Sequence, residues 1–95
     1  MRKLIDDQTG ALALASSQDF AHAGGYVTLH VVGTMASAKV YYSPTKDNDD
    51  QTNVDNHVLM LEFTGPGVHT AWIAKGVLRA DVDATASGVT VTAIT

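Results

Sequence analysis

The sequence contains no cysteine, only two prolines and few charged side chains. Without cysteine, the chain can form neither disulfide bonds nor thiolate metal sites. Charged residues make up 17% of the 95 residues, less than in a typical globular domain. The chain is instead rich in small and β-branched residues, with thirteen alanines, eleven valines and eleven threonines. We therefore expect one small domain, with part of its surface covered by something else.

Basic residues are also scarce. Six Lys and Arg stand against ten Asp and Glu and are scattered along the chain, so we expect no direct binding to nucleic-acid phosphates. The apolar run Ala11–Ala15 is far too short to cross a bilayer. Asp6 and Asp7 occupy the place where the apolar part of a signal peptide would begin. These features predict a non-membrane protein that is made in the cytoplasm.

Alternating apolar and polar residues predict β-strands along most of the chain. The stretch Tyr26–Pro44 contains two such runs with a short link between them. If the link is a turn, the two runs form a hairpin in which Val31 faces Val40 and Leu29 faces Tyr42.

Three further turn signals predict hairpins in the second half, at residues 64–67, 75–76 and 84–87. The predicted cross-strand pairs are Phe63–Val68, Leu59–Trp72, Met60–Ala71, Ile73–Leu78, Trp72–Arg79, Val82–Val89 and Ala80–Val91. We expect an all-β fold, a small antiparallel β-sandwich or partly open barrel of about seven strands. Residues 26–95 would form the sandwich domain, and residues 1–25 an N-terminal arm or edge segment.

This register divides the side chains between two faces. The expected core face consists of Val58, Met60, Ala71, Ile73, Leu78, Ala80, Val82, Val89 and Val91. The opposite face carries Leu59, Leu61, Phe63, Val68 and Trp72, followed by Arg79, Asp81 and Asp83. Because so many large apolar residues do not belong on a free surface, we expect a second layer or a partner to cover them. The predicted partner interface is Leu59, Leu61, Phe63 and Trp72, with Leu12 and Leu14 of the N-terminal segment.

No catalytic or cofactor motif is found in the sequence. The histidines His22, His30, His57 and His69 lack zinc-site spacing, and the register places His69 beside Glu62. Asp81 and Asp83 share a strand face, but we expect them to solvate the strand or pair with Arg79 rather than to act as an acid and a base. We predict no enzyme activity, no cofactor and no catalytic or metal residues.

Two binding alternatives remain open. The polar loop Ser43–Asn56 carries four aspartates, which are ligands that calcium prefers, but its spacing is not that of an EF-hand. We expect a solvated acidic loop, with an irregular calcium site at residues 44–56 as the alternative.

Trp72 with Tyr41 or Tyr42 could form an aromatic platform for carbohydrate, although only one of two adjacent tyrosines can share a face with Trp72.

Several segments resemble the small β-sandwich virion proteins of tailed bacteriophages. The segments are Gly25–Thr34 (GYVTLHVVGT), Ala38–Pro44 (AKVYYSP), Val77–Val82 (VLRADV) and Gly88–Thr92 (GVTVT). The resemblance covers residues 25–94. The loop Thr45–Asn56 departs from the pattern, and residues 1–24 have no counterpart in it.

The resemblance implies a structural role in the virion. The leading hypothesis is a head decoration or cement protein that binds the major capsid protein, stabilises the head and self-associates, for example as a trimer. A tail, neck or head-fibre component is the alternative within this class. A small module that binds carbohydrate or a host surface is the alternative from another class. The expected location is the virion, after synthesis in the host cytoplasm.

Overall fold

The computed structural model describes residues 1–44 and 56–95. The described residues form eight β-strands and one 3₁₀ turn (Leu14–Ser16), with no α-helix among them. The strands are β1 (Arg2–Gln8), β2 (Phe20–His22), β3 (Gly25–Thr34), β4 (Ala38–Ser43), β5 (Val58–Phe63), β6 (Gly67–Ile73), β7 (Gly76–Val82) and β8 (Ser87–Ile94). The calcium hypothesis for the loop 44–56 depends on residues 45–55, which lie outside the described residues.

The eight strands form two four-stranded sheets that pack against each other. Sheet 1 has the strand order β1-β8-β3-β6, and sheet 2 has the order β2-β7-β4-β5. Every pairing is antiparallel. The predicted all-β antiparallel sandwich is therefore confirmed, with eight strands instead of about seven.

The predicted hairpins, in contrast, are wrong. Strand β3 belongs to sheet 1 and β4 to sheet 2, and the strands of β5–β6, β6–β7 and β7–β8 are likewise in opposite sheets. Each short link therefore carries the chain across the sandwich. Among the described strands, only β4 and β5 are both consecutive and paired with each other.

The cross-strand partners change accordingly. The predicted pairs Val31–Val40, Leu29–Tyr42, Phe63–Val68, Leu59–Trp72, Met60–Ala71, Ile73–Leu78, Trp72–Arg79, Val82–Val89 and Ala80–Val91 join residues of opposite sheets. The observed partners include Val31–Val91, Leu29–Ala93, Val40–Ala80, Tyr42–Leu78, Trp72–Tyr26, Leu59–Tyr41, Phe63–Ala38 and Val82–Ala38. When consecutive strands lie in facing sheets, their apolar sides pack against each other. This arrangement buries more apolar surface than a two-stranded hairpin within one sheet would.

The apolar alternation nevertheless identifies most of the core. Of the nine predicted core residues, six are buried, and Met60 and Ala71 are partly buried against the core. Val58 is the exception, since 65% of it is exposed at the start of the edge strand β5. The fully buried residues of the core include Leu29, Val40 and Leu78.

Residues 1–25 lie along the edges of both sheets. Strand β1 pairs with β8 in sheet 1 and contributes Leu4 and Ile5 to the core. Strand β2 pairs with β7 in sheet 2. Between them, Leu12 and Val82 exchange two backbone hydrogen bonds of 3.1 and 3.3 Å.

Candidate functional site

The part of the outer face of sheet 1 that carries Trp72 is formed by the regular pairing of β3 with β6. Seven consecutive residue pairs run from Gly25–Ile73 to Val31–Gly67 with no bulge. Because directly paired residues in an antiparallel sheet point to the same side, alternate pairs face outward. The outward pairs are Tyr26–Trp72, Thr28–Thr70 and His30–Val68. We call these six residues the Trp72 face.

Large apolar side chains on the Trp72 face are exposed. The exposed fraction is 72% for Tyr26 and 63% each for Trp72 and Val68. In the middle of the face, the hydroxyl oxygens of Thr28 and Thr70 are 2.8 Å apart and hydrogen-bonded. Exposed apolar groups that cluster in this way are typical of contact surfaces.

The Trp72 face carries no carboxylate, lysine or arginine among its six residues. His30 is its one titratable group apart from the Tyr26 phenol. Such a face offers two aromatic rings, a valine and two hydroxyl groups, which suit a partner that brings apolar groups and a few hydrogen bonds. The arrangement favours binding by surface contact.

The predicted interface residues are not brought together on one surface. Leu59 pairs with Tyr41 in sheet 2 and is 48% exposed, whereas Trp72 lies in sheet 1. The two side chains were predicted to face each other across a hairpin. Since β5 and β6 belong to different sheets, they lie on opposite outer faces of the sandwich.

Leu61 and Phe63, also predicted at the interface, are directed toward the core. Leu61 pairs with Val40 and Phe63 with Ala38, and both partners are fully buried. A register shift follows, since the next pair is Tyr41–Leu59, so Met60 is the extra residue of a β-bulge. Leu61 and Phe63 are partly buried and pack against the core, which explains their apolar character without a partner.

Leu12 and Leu14, the remaining predicted interface residues, lie beside β7. Leu12 forms the backbone bridge to Val82 and packs against the core. Leu14 begins the 3₁₀ turn and is partly buried. Neither residue belongs to the Trp72 face.

The outer face of sheet 2 carries exposed Leu59 but differs from the Trp72 face in also carrying charged side chains. Lys39 pairs with Glu62 on one side and with Asp81 on the other. Burial raises the pKa of the Asp81 carboxyl above its ordinary value, although Lys39 and a hydrogen bond with Tyr41 act to lower it. Burial, followed by the charge of Asp81, also raises the pKa of the Tyr41 phenol. These groups form a hydrogen-bonded ionisable cluster on one face.

Arg79 is a buried cation on this same sheet. Only 3% of it is exposed, and its Nη1 donates a hydrogen bond of 3.4 Å to the Ser17 carbonyl. Its Nε has no hydrogen-bond partner, and neither ion pair found among the described residues includes it. The sequence predicted Arg79 on the face opposite the core, with a second layer or a partner covering that face. Residues 14–17 of the same chain cover Arg79, because they pack over β7.

The histidines occupy unrelated places. His22 is buried, and its Nε2 lies 3.0 Å from the Gly25 carbonyl and 3.1 Å from the Ile73 carbonyl, so it joins β2 to the ends of β3 and β6. His69 pairs with Leu29, so its predicted position beside Glu62 is wrong. Among the described residues, no three His, Asp or Glu side chains are grouped as a metal site.

Tyr26 is the functional candidate that the sequence analysis missed. Tyr41 and Tyr42 were considered as partners of Trp72, but both belong to sheet 2. The available signal was the alternation of β3, which places Tyr26 on the side of Thr28 and His30. A hollow of about 260 Å³ adjoins this end of the face; it is lined by Phe20, Ala21, His22, Ala23, Gly24, Tyr26 and Thr95.

No family model, no curated protein and no solved structure matches the chain. No helix in residues 1–44 or 56–95 has the length and apolar character needed to span a membrane.

Proposed function

We propose that the chain is a structural protein of a phage virion, of the head decoration or cement type, which binds the major capsid protein through the Trp72 face. The observation that supports the proposal is the cluster of exposed Tyr26, Trp72 and Val68 on one side of a small sandwich. The resemblance of residues 25–94 to virion β-sandwich proteins supplies the class of partner.

The mechanism requires only surface contact. Burial of roughly 400 Å² of apolar surface at ~25 cal/mol per Å² supplies about 10 kcal/mol before the costs of association are subtracted. A subunit bound across neighbouring capsid proteins adds its contact energy to theirs. Repeated at many sites, this contribution would help the head to resist the pressure of packaged DNA.

Co-sedimentation with capsids of the phage that encodes the chain tests this proposal. The wild-type protein should sediment with capsids at high copy number, and Trp72→Ala should weaken binding by at least tenfold, since exposed tryptophans are frequent binding hot spots. Leu59→Ala is the matched control, because Leu59 is an exposed apolar residue on the opposite face. Equal binding by wild type and Trp72→Ala would exclude the Trp72 face as the capsid contact.

The same assay separates positions within the virion. Binding to purified tails or necks, with none to heads, would replace the cement role with that of a tail, neck or head-fibre component. The contact surface would remain the Trp72 face.

Carbohydrate binding is the second candidate function. Tyr26 and Trp72 are adjacent and exposed, and the hollow beside Tyr26 could hold part of a sugar. Binding on a glycan array that is lost in both Tyr26→Ala and Trp72→Ala, while the protein stays folded, would favour this function. An array without signal would exclude it for the glycans tested.

A further inference from the structure

The four edge strands of the sandwich differ in how they are protected from pairing with another chain. An exposed strand edge presents unpaired backbone N–H and C=O groups, and proteins usually block such edges with charges, bulges or short strands. Strand β1 carries Arg2, Lys3, Asp6 and Asp7 and has two register shifts. Strand β2 has only three residues.

The two remaining edges are β5 and β6. Strand β5 carries Glu62 and the bulge at Met60. Strand β6 (GVHTAWI) has no Lys, Arg, Asp, Glu or Pro, and it pairs with β3 without any register shift. Along its other edge, no strand of the described residues pairs with it. Of the four edges, β6 alone lacks all of these protective features.

We propose that β6 pairs with β6 of a second copy of this chain, antiparallel and across a two-fold axis at Thr70. This register uses the whole strand, because Thr70 is its central residue. Sheet 1 would then continue through both copies as eight strands. The unpaired backbone groups of the edge can form hydrogen bonds with another strand. A two-fold axis lets each copy present the same strand to the other, so a second copy is a self-complementary partner.

The side chains of β6 suit this register. Thr70 would lie opposite Thr70 of the second copy, and Val68 would lie opposite Trp72. Threonine pairs and aromatic–β-branched pairs are both favourable neighbours across strands. No two like charges would meet, since Gly67–Ile73 contains no Lys, Arg, Asp or Glu. The outward pairs His30–Val68 and Tyr26–Trp72 would form continuous rows across the two copies.

Charge substitutions at Thr70 test the register directly. The wild-type chain should show a concentration-dependent dimer mass in sedimentation equilibrium. Thr70→Lys and Thr70→Asp each place two like charges opposite each other, and each should weaken dimerisation by about tenfold. An equimolar mixture should restore the dimer, because Lys then faces Asp. Thr64→Lys and Thr64→Asp, in the exposed link before β6, are the controls and should dimerise as the wild type does.

Hydrogen exchange on the wild-type chain gives a second readout that needs no variant. Amides of β6 should become more protected at high protein concentration, whereas those of the edge strand β5 should not change. A wild-type monomer at all concentrations, or Thr70→Lys and Thr70→Asp variants that dimerise fully on their own, would overturn the proposal. These experiments use no capsid, so their failure is distinct from a failure of the virion role.

Discussion

Tyr26 lies directly opposite Trp72 across β3 and β6, with both side chains on the outside of sheet 1. More than half of each residue is exposed. The chain contains only one tryptophan and three tyrosines, so this pair places one of each on a single surface. In a chain with few charges and no recognisable catalytic motif, that pair is the main support for the partner-binding surface that we propose.

Replacing aromatic residues on β5 and β6 should have unequal effects on stability. Phe63→Ala should lower the free energy of unfolding by about 2–4 kcal/mol, because Phe63 packs against the core. Trp72→Ala should lower it by less than about 1 kcal/mol, because Trp72 is mostly exposed. Urea unfolding measures both values. Equal losses would contradict the opposite placement of the two side chains.

Gly76→Ala should destabilise the protein. A Cβ atom at Gly76 would overlap the backbone carbonyl of Ser43 and the ring of Tyr42. Strand β4 or β7 must shift to remove this overlap, and we expect the shift to lower the free energy of unfolding by about 1–3 kcal/mol. Gly65→Ala is the control, since a Cβ there has open space. Thermal unfolding should show a lower Tm for Gly76→Ala alone; equal Tm values would contradict the close approach of β4 and β7.

Arg79→Met should be neutral or stabilising. The substitution removes a buried charge that has no ion-pair partner among the described residues, and it keeps most of the apolar stem. Arg79→Ala also removes the stem and should lower the free energy of unfolding by about 1–3 kcal/mol through the cavity it leaves. Chemical unfolding of the two variants checks this order. A large loss in Arg79→Met would mean that the guanidinium itself stabilises the fold.

Asp81 should make stability depend on pH. Because burial raises the pKa of its carboxyl in the folded state, its contribution is fully present below the ordinary pKa and is lost as pH rises through the folded-state pKa. The stability of wild type relative to Asp81→Asn should therefore fall as pH rises from below the ordinary pKa of an Asp carboxyl, about 3.9, through the raised folded-state pKa. Urea unfolding over this range measures the difference, and a difference that stays constant or rises would contradict the raised pKa.

The sequence predicts the buried side of most strands but not their partners. The alternation of Val27, Leu29 and Val31 predicts which side of β3 is apolar. All three side chains are buried, which confirms the prediction. A hairpin and a crossing between sheets produce the same alternation, because both direct consecutive apolar sides into one core. The short links at residues 74–75 and 64–66 were therefore open to both interpretations.

The predicted interface residues do not share one surface, because the sequence does not distinguish a hairpin from a crossing between sheets. A β-bulge in β5 is a second reason. The bulge at Met60 keeps Leu61 and Phe63 on the core side and turns Leu59 outward, and strict alternation cannot anticipate an extra residue. Trp72 was predicted at the interface and is exposed, whereas its neighbour Tyr26 is seen only once β3 is known to pair with β6. The burial of Arg79 depends on residues 14–17, whose packing leaves no periodic signal.

If a partner covers the Trp72 face in the assembled particle, as we propose, Tyr26 and Trp72 lose their exposure to solvent there. Hydroxyl-radical footprinting with mass spectrometry tests this loss most directly, because oxidation of Trp72 and Tyr26 reports their exposure in the free chain and in purified virions. We expect strong oxidation of both residues in the free protein and strong protection in the particle, with Leu59 unchanged as the internal control. Equal oxidation of Trp72 in the free chain and in the particle would show that no partner covers the Trp72 face.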